Sequence, residues 1–215
     1  MQQHINREGT GIRQQVTGAG WRETPAGLSR YELKASLPRF LSAQIEAEQS
    51  FALQTFGRED FSPSQPGLLV AAFYAHEEME STLLRWLNRV IGQQESFPVL
   101  FNNYSSMPGY PIYLRVQDPA PFRNLAENLR VIDAWLKGND CPALTLFHHP
   151  RLSLVDSLGS AKAMEILLEF SGRCFRADME LEELELTCRP AGEEVSRVVC
   201  RFKLLPRGLR AGRED

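Results

Sequence analysis

Along the chain, apolar residues recur alternately with a period of two and a period near 3.6, which predicts strands and helices in turn. Residues 31–37 read as a strand. Residues 38–56, rich in Ala, Gln and Glu, read as a helix with Pro38 in its first turn, where a missing amide costs nothing. Residues 68–73 are continuously apolar and read as a buried strand, and the segment after them places Met79, Leu83, Trp86, Leu87 and Val90 on one helical face. Residues 97–104 and 110–116 read as two strands. The SSMPG between them contains Pro108 and Gly109, both turn residues, so a hairpin is expected. In its second strand Ile112, Leu114 and Val116 point one way, Tyr113 and Arg115 the other.

Asp118 and Pro119 then supply a cap and a first-turn proline for a helix that buries Phe122, Leu125, Leu129, Ile132 and Leu136 and stops at Gly138. Beyond Cys141 and Pro142, HHPRLSLV (148–155) reads as a strand, 160–170 as a short helix, and three strands follow near 173–179, 184–189 and 197–204. In the last two, Leu184, Leu186 and Cys188 oppose Glu183, Glu185, Thr187 and Arg189. Val198, Cys200, Phe202 and Leu204 likewise oppose Arg197, Arg201 and Lys203. The glutamates then face water. The whole is an α+β chain whose sheets are half covered by helices, with room for one domain or for two small lobes sharing a core.

The ends follow no such period. Residues 1–29 are polar and Gly-rich and read as a mobile arm; 206–215 read as a flexible tail. Arg7, Arg13, Arg22 and Arg30 give the arm a modest positive charge. The full 215 residues carry 24 Lys+Arg against 27 Asp+Glu, a net charge of -3, so any contact with nucleic acid has to come from a local patch. The four cysteines form no CxxC pair, which suits reduced thiols in a cytoplasm. The longest apolar run, 68–75, is far short of the ~20 residues of a membrane-spanning helix.

Several stretches, taken in order, resemble the two-histidine (2H) phosphoesterase superfamily, which includes bacterial 2'-5' RNA ligases and cyclic phosphodiesterases. QPGLLVAAF (65–73) stands where that family has its first Pro-His-x-Thr strand, HHPRLSLV where it has the second, and YSSMPGYPIYLRV (104–116) resembles the hairpin between them. FRADMELEELELTCR and VVCRFKLLP resemble its closing strands. The resemblance implies a single two-lobed domain over residues 30–205 with a 2'-5' RNA ligase-like fold, its antiparallel sheets forming a central cleft and its helices on the outer faces. In the family motif, the period of two puts His and Thr on one face of a strand. Two such strands give a proton acceptor, a proton donor and two hydroxyls for phosphate oxygens.

The motif positions in this chain are Gly67 and Leu69 on the first strand and Arg151 and Ser153 on the second. Only Ser153 keeps the motif's chemistry. A guanidinium stays protonated near neutrality, and glycine and leucine titrate nothing. The expectation is therefore an inactive or altered phosphoesterase-like protein that binds a nucleotide, RNA end or other anion through Arg151 and Ser153, with Tyr113 and Arg115 beside them. His149 stands four residues before Ser153, an even separation that in a regular strand keeps it on that face about 13 Å away. No cofactor is expected. No metal is expected either, since Cys141, His148 and His149 lack a second spaced ligand pair.

Two other readings stay open. One is a hydrolase using His148 or His149 as a base, with Arg151 holding the substrate. The other is an interaction module or homodimer using the apolar strand face of Gly67, Leu69, Ala71 and Phe73. His76, just before EEME, reads as an exposed or capping residue.

Overall fold

The computed structural model describes residues 25, 27–107, 110–159 and 162–208, with backbone alone at 110 and 111. The expected arm over most of 1–29, the Pro108–Gly109 turn, Ser160 and the end of the tail lie outside the described residues. The elements run β1 (Ser29–Ala35), α1 (Arg39–Phe56), β2 (Phe61–Pro63), β3 (Leu68–Ala75), a single 3-10 turn (Glu77–Met79), α2 (Glu80–Ile91), β4 (Phe97–Met107) and β5 (Tyr110–Val116). Then follow α3 (Ala120–Lys137), β6 (Thr145–Leu146), β7 (Arg151–Ser153), β8 (Val155–Leu158), α4 (Ala163–Gly172), β9 (Arg176–Leu181), β10 (Glu183–Arg189) and β11 (Arg197–Lys203).

A curled antiparallel sheet runs in the order β11-β10-β1-β3-β7-β5-β4-β9, with β6 also on β3. Each half mixes strands from distant parts of the chain, which fuses the two lobes into one sheet. One face of this sheet is covered by helices. Tyr31, Leu33, Ala35, Phe73, Phe101 and Leu114 from the strands are buried there with Leu83 and Leu87 of α2 and Leu125 and Leu129 of α3. Tyr31 stacks on Phe73 with ring centroids 5.3 Å apart. The expected apolar faces of α2 and α3 are these buried faces, and Asp118 Oδ1 accepts the Ala120 amide at 2.9 Å at the start of α3. The other face of the sheet is concave and carries the polar half of each strand.

Three features depart from the expected pattern. HHPRLSLV is not one strand. The chain bends at Leu154, so Arg151–Ser153 joins the main sheet while Val155–Leu158 pairs with the unexpected β2 in a second, two-stranded sheet. The corner is fastened from behind. Buried Gln49 of α1 donates Nε2 to the carbonyls of both Ser64 and Leu154 at 2.8 Å, and the Ser64 hydroxyl donates to the Ser153 carbonyl.

The second departure is in β3. Lys34 of β1 pairs with Leu69, but Leu33 pairs with Ala71, so Val70 is an extra residue in the ladder. Beyond it the faces exchange: Ala71 and Phe73 are buried under the helices, and Ala72 and Tyr74 turn to the concave side. The expectation that Gly67, Leu69, Ala71 and Phe73 share one face therefore fails after Leu69. The third is a similar irregularity between Leu186 and Thr187, which pairs Val198 with Thr187 and leaves Val198 exposed, while Arg197 reaches Glu80 of α2 at 2.7 Å. Both are one-residue bulges, and a bulge reverses alternation for the rest of its strand.

Candidate functional site

The two strands singled out in the sequence are neighbours. Leu68 of β3 pairs with Leu152 of β7 antiparallel, both buried on the helix side. That register sets Leu69 opposite Arg151 and Gly67 opposite Ser153 on the concave face. On the other side of β7, Arg115 pairs with Arg151 and Tyr113 with Ser153. Gly67, Leu69, Arg151, Ser153, Tyr113 and Arg115 thus form one contiguous patch at the middle of the sheet.

Within the patch the side chains are partly ordered by one another. The Arg151 guanidinium lies over the Tyr113 ring, 5.3 Å from its centroid, and Tyr113 is only 8% exposed. This contact holds the half-buried Arg151 flat against the sheet. The Ser153 hydroxyl donates to the Val155 carbonyl at 2.9 Å, so its single proton is committed in this conformation. Arg115 is exposed and makes no salt bridge among the described residues.

His149 is not part of the patch. It is exposed in the bend before β7, and His148 precedes it there, so the regular strand that would carry either histidine onto the Ser153 face does not exist. Among the described residues no strand of the sheet contains a histidine. On the concave side β3 presents Gly67, Leu69, Ala72 and Tyr74, so neither register of its first residues supplies an imidazole. The apolar surface of the interaction reading is also reduced, because Phe73 is 2% exposed within the monomer. Among the described residues no three His, Cys, Asp or Glu side chains converge as metal ligands, and no helix is long and apolar enough to cross a membrane.

The concave face has a second part that the sequence pattern did not reveal. A cavity of about 860 Å³ lies over β1, β10 and β11, bordered by Gly67 and Pro66 at the edge nearest the Arg/Ser patch. Its floor is the row of glutamates expected to face plain water, here interleaved with basic residues. Glu32 bonds both Arg30 and Lys34, the latter at 2.6 Å, and Arg201 lies 2.9 Å from Glu185 and 3.8 Å from Glu183. Burial alone would raise the Glu32 carboxyl, but Lys34, Arg30 and Arg189 outweigh it and hold the group below its ordinary range. Arg30 belongs to this ladder and not to the N-terminal arm.

Sequence reasoning also missed Gln49 and Ser64, which fix β7 beside the Pro66–Gly67 segment. A signal was present for Gln49, since it interrupts the otherwise apolar stripe Leu41, Ile45, Ala52, Phe56 of α1. A polar residue on a buried stripe has to find partners.

No family model matches the sequence, and no curated protein matches it. Solved structures do. Escherichia coli LigT in apo form is 18% identical over 84% of this chain and 99% of its own, with a TM-score of 0.59. The same protein complexed with 3'-AMP is 16% identical over 82% and 98%, with a TM-score of 0.60. TT0787 of Thermus thermophilus is 18% identical over 83% and 99%, with a TM-score of 0.62. With nearly the whole of each of these chains matched by one curled sheet and its helices, the protein has the LigT-type fold, the architecture expected of a two-histidine phosphoesterase.

Proposed function

We infer that this chain is a divergent 2'-5' RNA ligase-like, two-histidine phosphoesterase-type protein that binds a phosphate-bearing nucleotide or RNA end without that family's acid/base turnover. The observation that carries this reading is the register of β7 against β5, which aligns Arg151 with Arg115 and Ser153 with Tyr113 where no strand offers a histidine. Two guanidiniums on adjacent strands present forked donors to a phosphate, each charge-assisted. The Ser153 hydroxyl adds a third donor by turning from Val155 to a phosphate oxygen. With glycine and leucine across the seam, no group near the phosphate exchanges a proton at neutral pH.

E. coli LigT has been crystallised with 3'-AMP, with ATP and with phosphate, which supports an anion of this class for a chain of the same fold. The 860 Å³ cavity beside Gly67 falls within the range of small-molecule sites and leaves room for a nucleoside attached to the bound phosphate.

The test has two arms. Calorimetric titration with 3'-AMP is expected to give saturable binding that Arg151→Gln weakens. Incubation with 2',3'-cyclic nucleotides and 2'-5' linked oligonucleotides is expected to leave them intact. Hydrolysis that survives Arg151→Gln would sink the non-catalytic reading, and absence of any 3'-AMP binding would sink the anion site.

A further inference from the structure

Helix α4 is apolar almost all round. Its buried side is Ile166 and Phe170, and Phe170 stacks on Phe61 and meets the Tyr104 ring edge-on at 5.0 Å. On the opposite side Met164 and Leu168 are 69% and 64% exposed. A surface helix ordinarily turns polar residues to water there. Among the described residues no other helix leaves two large apolar side chains exposed one turn apart, since Phe40 of α1 and Val131 of α3 stand alone. The exposed face of α4 points away from the sheet, on the side opposite the concave patch.

This face carries its own complement. Met164, Leu168 and Gly172 recur every four residues, so they form one ridge about 12 Å long with Leu168 at its middle. The ridge has a knob at one end and a gap at the other. A Cβ at Gly172 would meet nothing within 4 Å, and an open groove of about 440 Å³ there is lined by Glu165, Leu168, Glu169, Gly172 and Arg173. Turned about a two-fold axis through Leu168, a second α4 sets its Met164 over Gly172, its Leu168 against Leu168 and its Glu165 level with Arg173. Arg173 is held ready for that contact. It donates Nε and Nη2 to the Glu48 carboxylate at 3.2 and 2.9 Å, its guanidinium lies 4.1 Å from the centre of the Phe51 ring, and its side chain is still 30% exposed. Glu169 lies 3.8 Å from Arg173 of its own chain. A two-fold arrangement makes each of these contacts twice. The same flank counts against an anionic lipid surface as the occupant, because Glu165 and Glu169 are exposed beside the ridge.

We propose that the outer face of α4 is a self-association surface, through which two copies of this chain pair with their α4 helices antiparallel across Leu168. The pairing is independent of the anion site, and both concave faces stay open in it. A crossing of two three-turn helices covers less than the ~1,000 Å² of a stable interface, so the dimer is weak, with a Kd on the order of 100 µM.

The experiment is sedimentation equilibrium of the full chain from about 10 µM to about 1 mM, a range that brackets the expected Kd. A monomer–dimer equilibrium with no larger species is expected. Leu168→Glu sets two carboxylates face to face on the two-fold axis and is expected to weaken association by about tenfold or more. Because Leu168 is exposed, the same variant should keep the melting temperature and the 3'-AMP affinity of the parent. A second measurement reads the geometry. In a chain whose exposed Cys174 is replaced by serine, Leu168→Cys is expected to give a disulfide-linked dimer on mild oxidation. Met164→Cys in the same background is expected to link far less, since the two copies of residue 164 lie at opposite ends of the crossing. A chain that stays monomeric throughout the range overturns the self-association surface. A dimer that Leu168→Glu leaves unchanged overturns its assignment to α4, and cross-linking no better at 168 than at 164 overturns the antiparallel arrangement.

Discussion

The two halves of the concave face carry similar residue types arranged to opposite effect. On β11-β10-β1, Arg201, Glu185 and Lys34 follow one another across the strands, and Glu32 ties Arg30 to Lys34, so each charge faces an opposite one. On β7-β5-β4-β9 the same transverse row continues as Arg151, Arg115, Asn102 and Arg176, with no carboxylate between them. Leu69, between Lys34 and Arg151, is the seam. Charges that satisfy one another contribute to the fold and leave little field for a ligand. Charges left among their own kind contribute little or negatively to stability and keep their attraction for an anion. The two halves differ in whether acidic residues alternate with the basic ones across the strands, not in the number of charges.

Substitutions can break this comparison in graded ways. The largest effect belongs to the strand beside the seam, β7. Leu152 is fully buried and pairs with both Leu68 and Leu114, so Leu152→Ala is expected to cost about 2–5 kcal/mol in denaturant unfolding and to take ligand binding with it. Arg151→Gln should leave the melting temperature within a few degrees of the parent. It should weaken 3'-AMP by about ten- to a hundredfold, the loss of one or two charge-assisted hydrogen bonds; a large drop in melting temperature would place Arg151 among the structural charges instead.

Next in size is Glu32→Gln, which removes the carboxylate that Arg30 and Lys34 share and is expected to destabilise by about 1–3 kcal/mol without moving 3'-AMP affinity. It also carries a pH signature. The folded Glu32 carboxyl is held low, so its stabilisation is present above the ordinary unfolded value of about 4.3 and is lost as pH falls through the folded value. Acid unfolding curves should therefore drop less steeply below that pH in Glu32→Gln than in the parent. The smallest effect is expected for Arg115→Gln, within about 0.5 kcal/mol of the parent and on the stabilising side, since it removes a like charge opposite Arg151. A clear loss of stability there would mean that Arg115 has a structural partner and would erase the contrast between the halves.

Much of this was legible in order and alternation. β5, α2 and α3 lie where the periodicity puts them, because each buries one clean apolar face and the spacing of that face is a local property. The patch residues Gly67, Leu69, Arg151, Ser153, Tyr113 and Arg115 were legible as candidates, though not as neighbours. His149 was not legible as an outsider, because the even count to Ser153 assumes a straight strand and the chain bends at His148 and His149. The exchange of faces in β3 was equally hidden, since a bulge at Val70 changes no residue type and only adds one position to a ladder.

By itself, then, the sequence determined most of the element types, the replacement of histidine at Gly67 and Arg151, and the charged side chains available to a cleft, since all three depend on residue identity and short-range period. Tertiary structure alone decided that β7 sits between β3 and β5, that Gln49 and Ser64 lock that position, and which charges find partners. Those outcomes depend on register between distant segments, such as Glu32 and Thr187, 155 residues apart, and register is chosen by how the buried faces fit the helices. No local pattern encodes that fit.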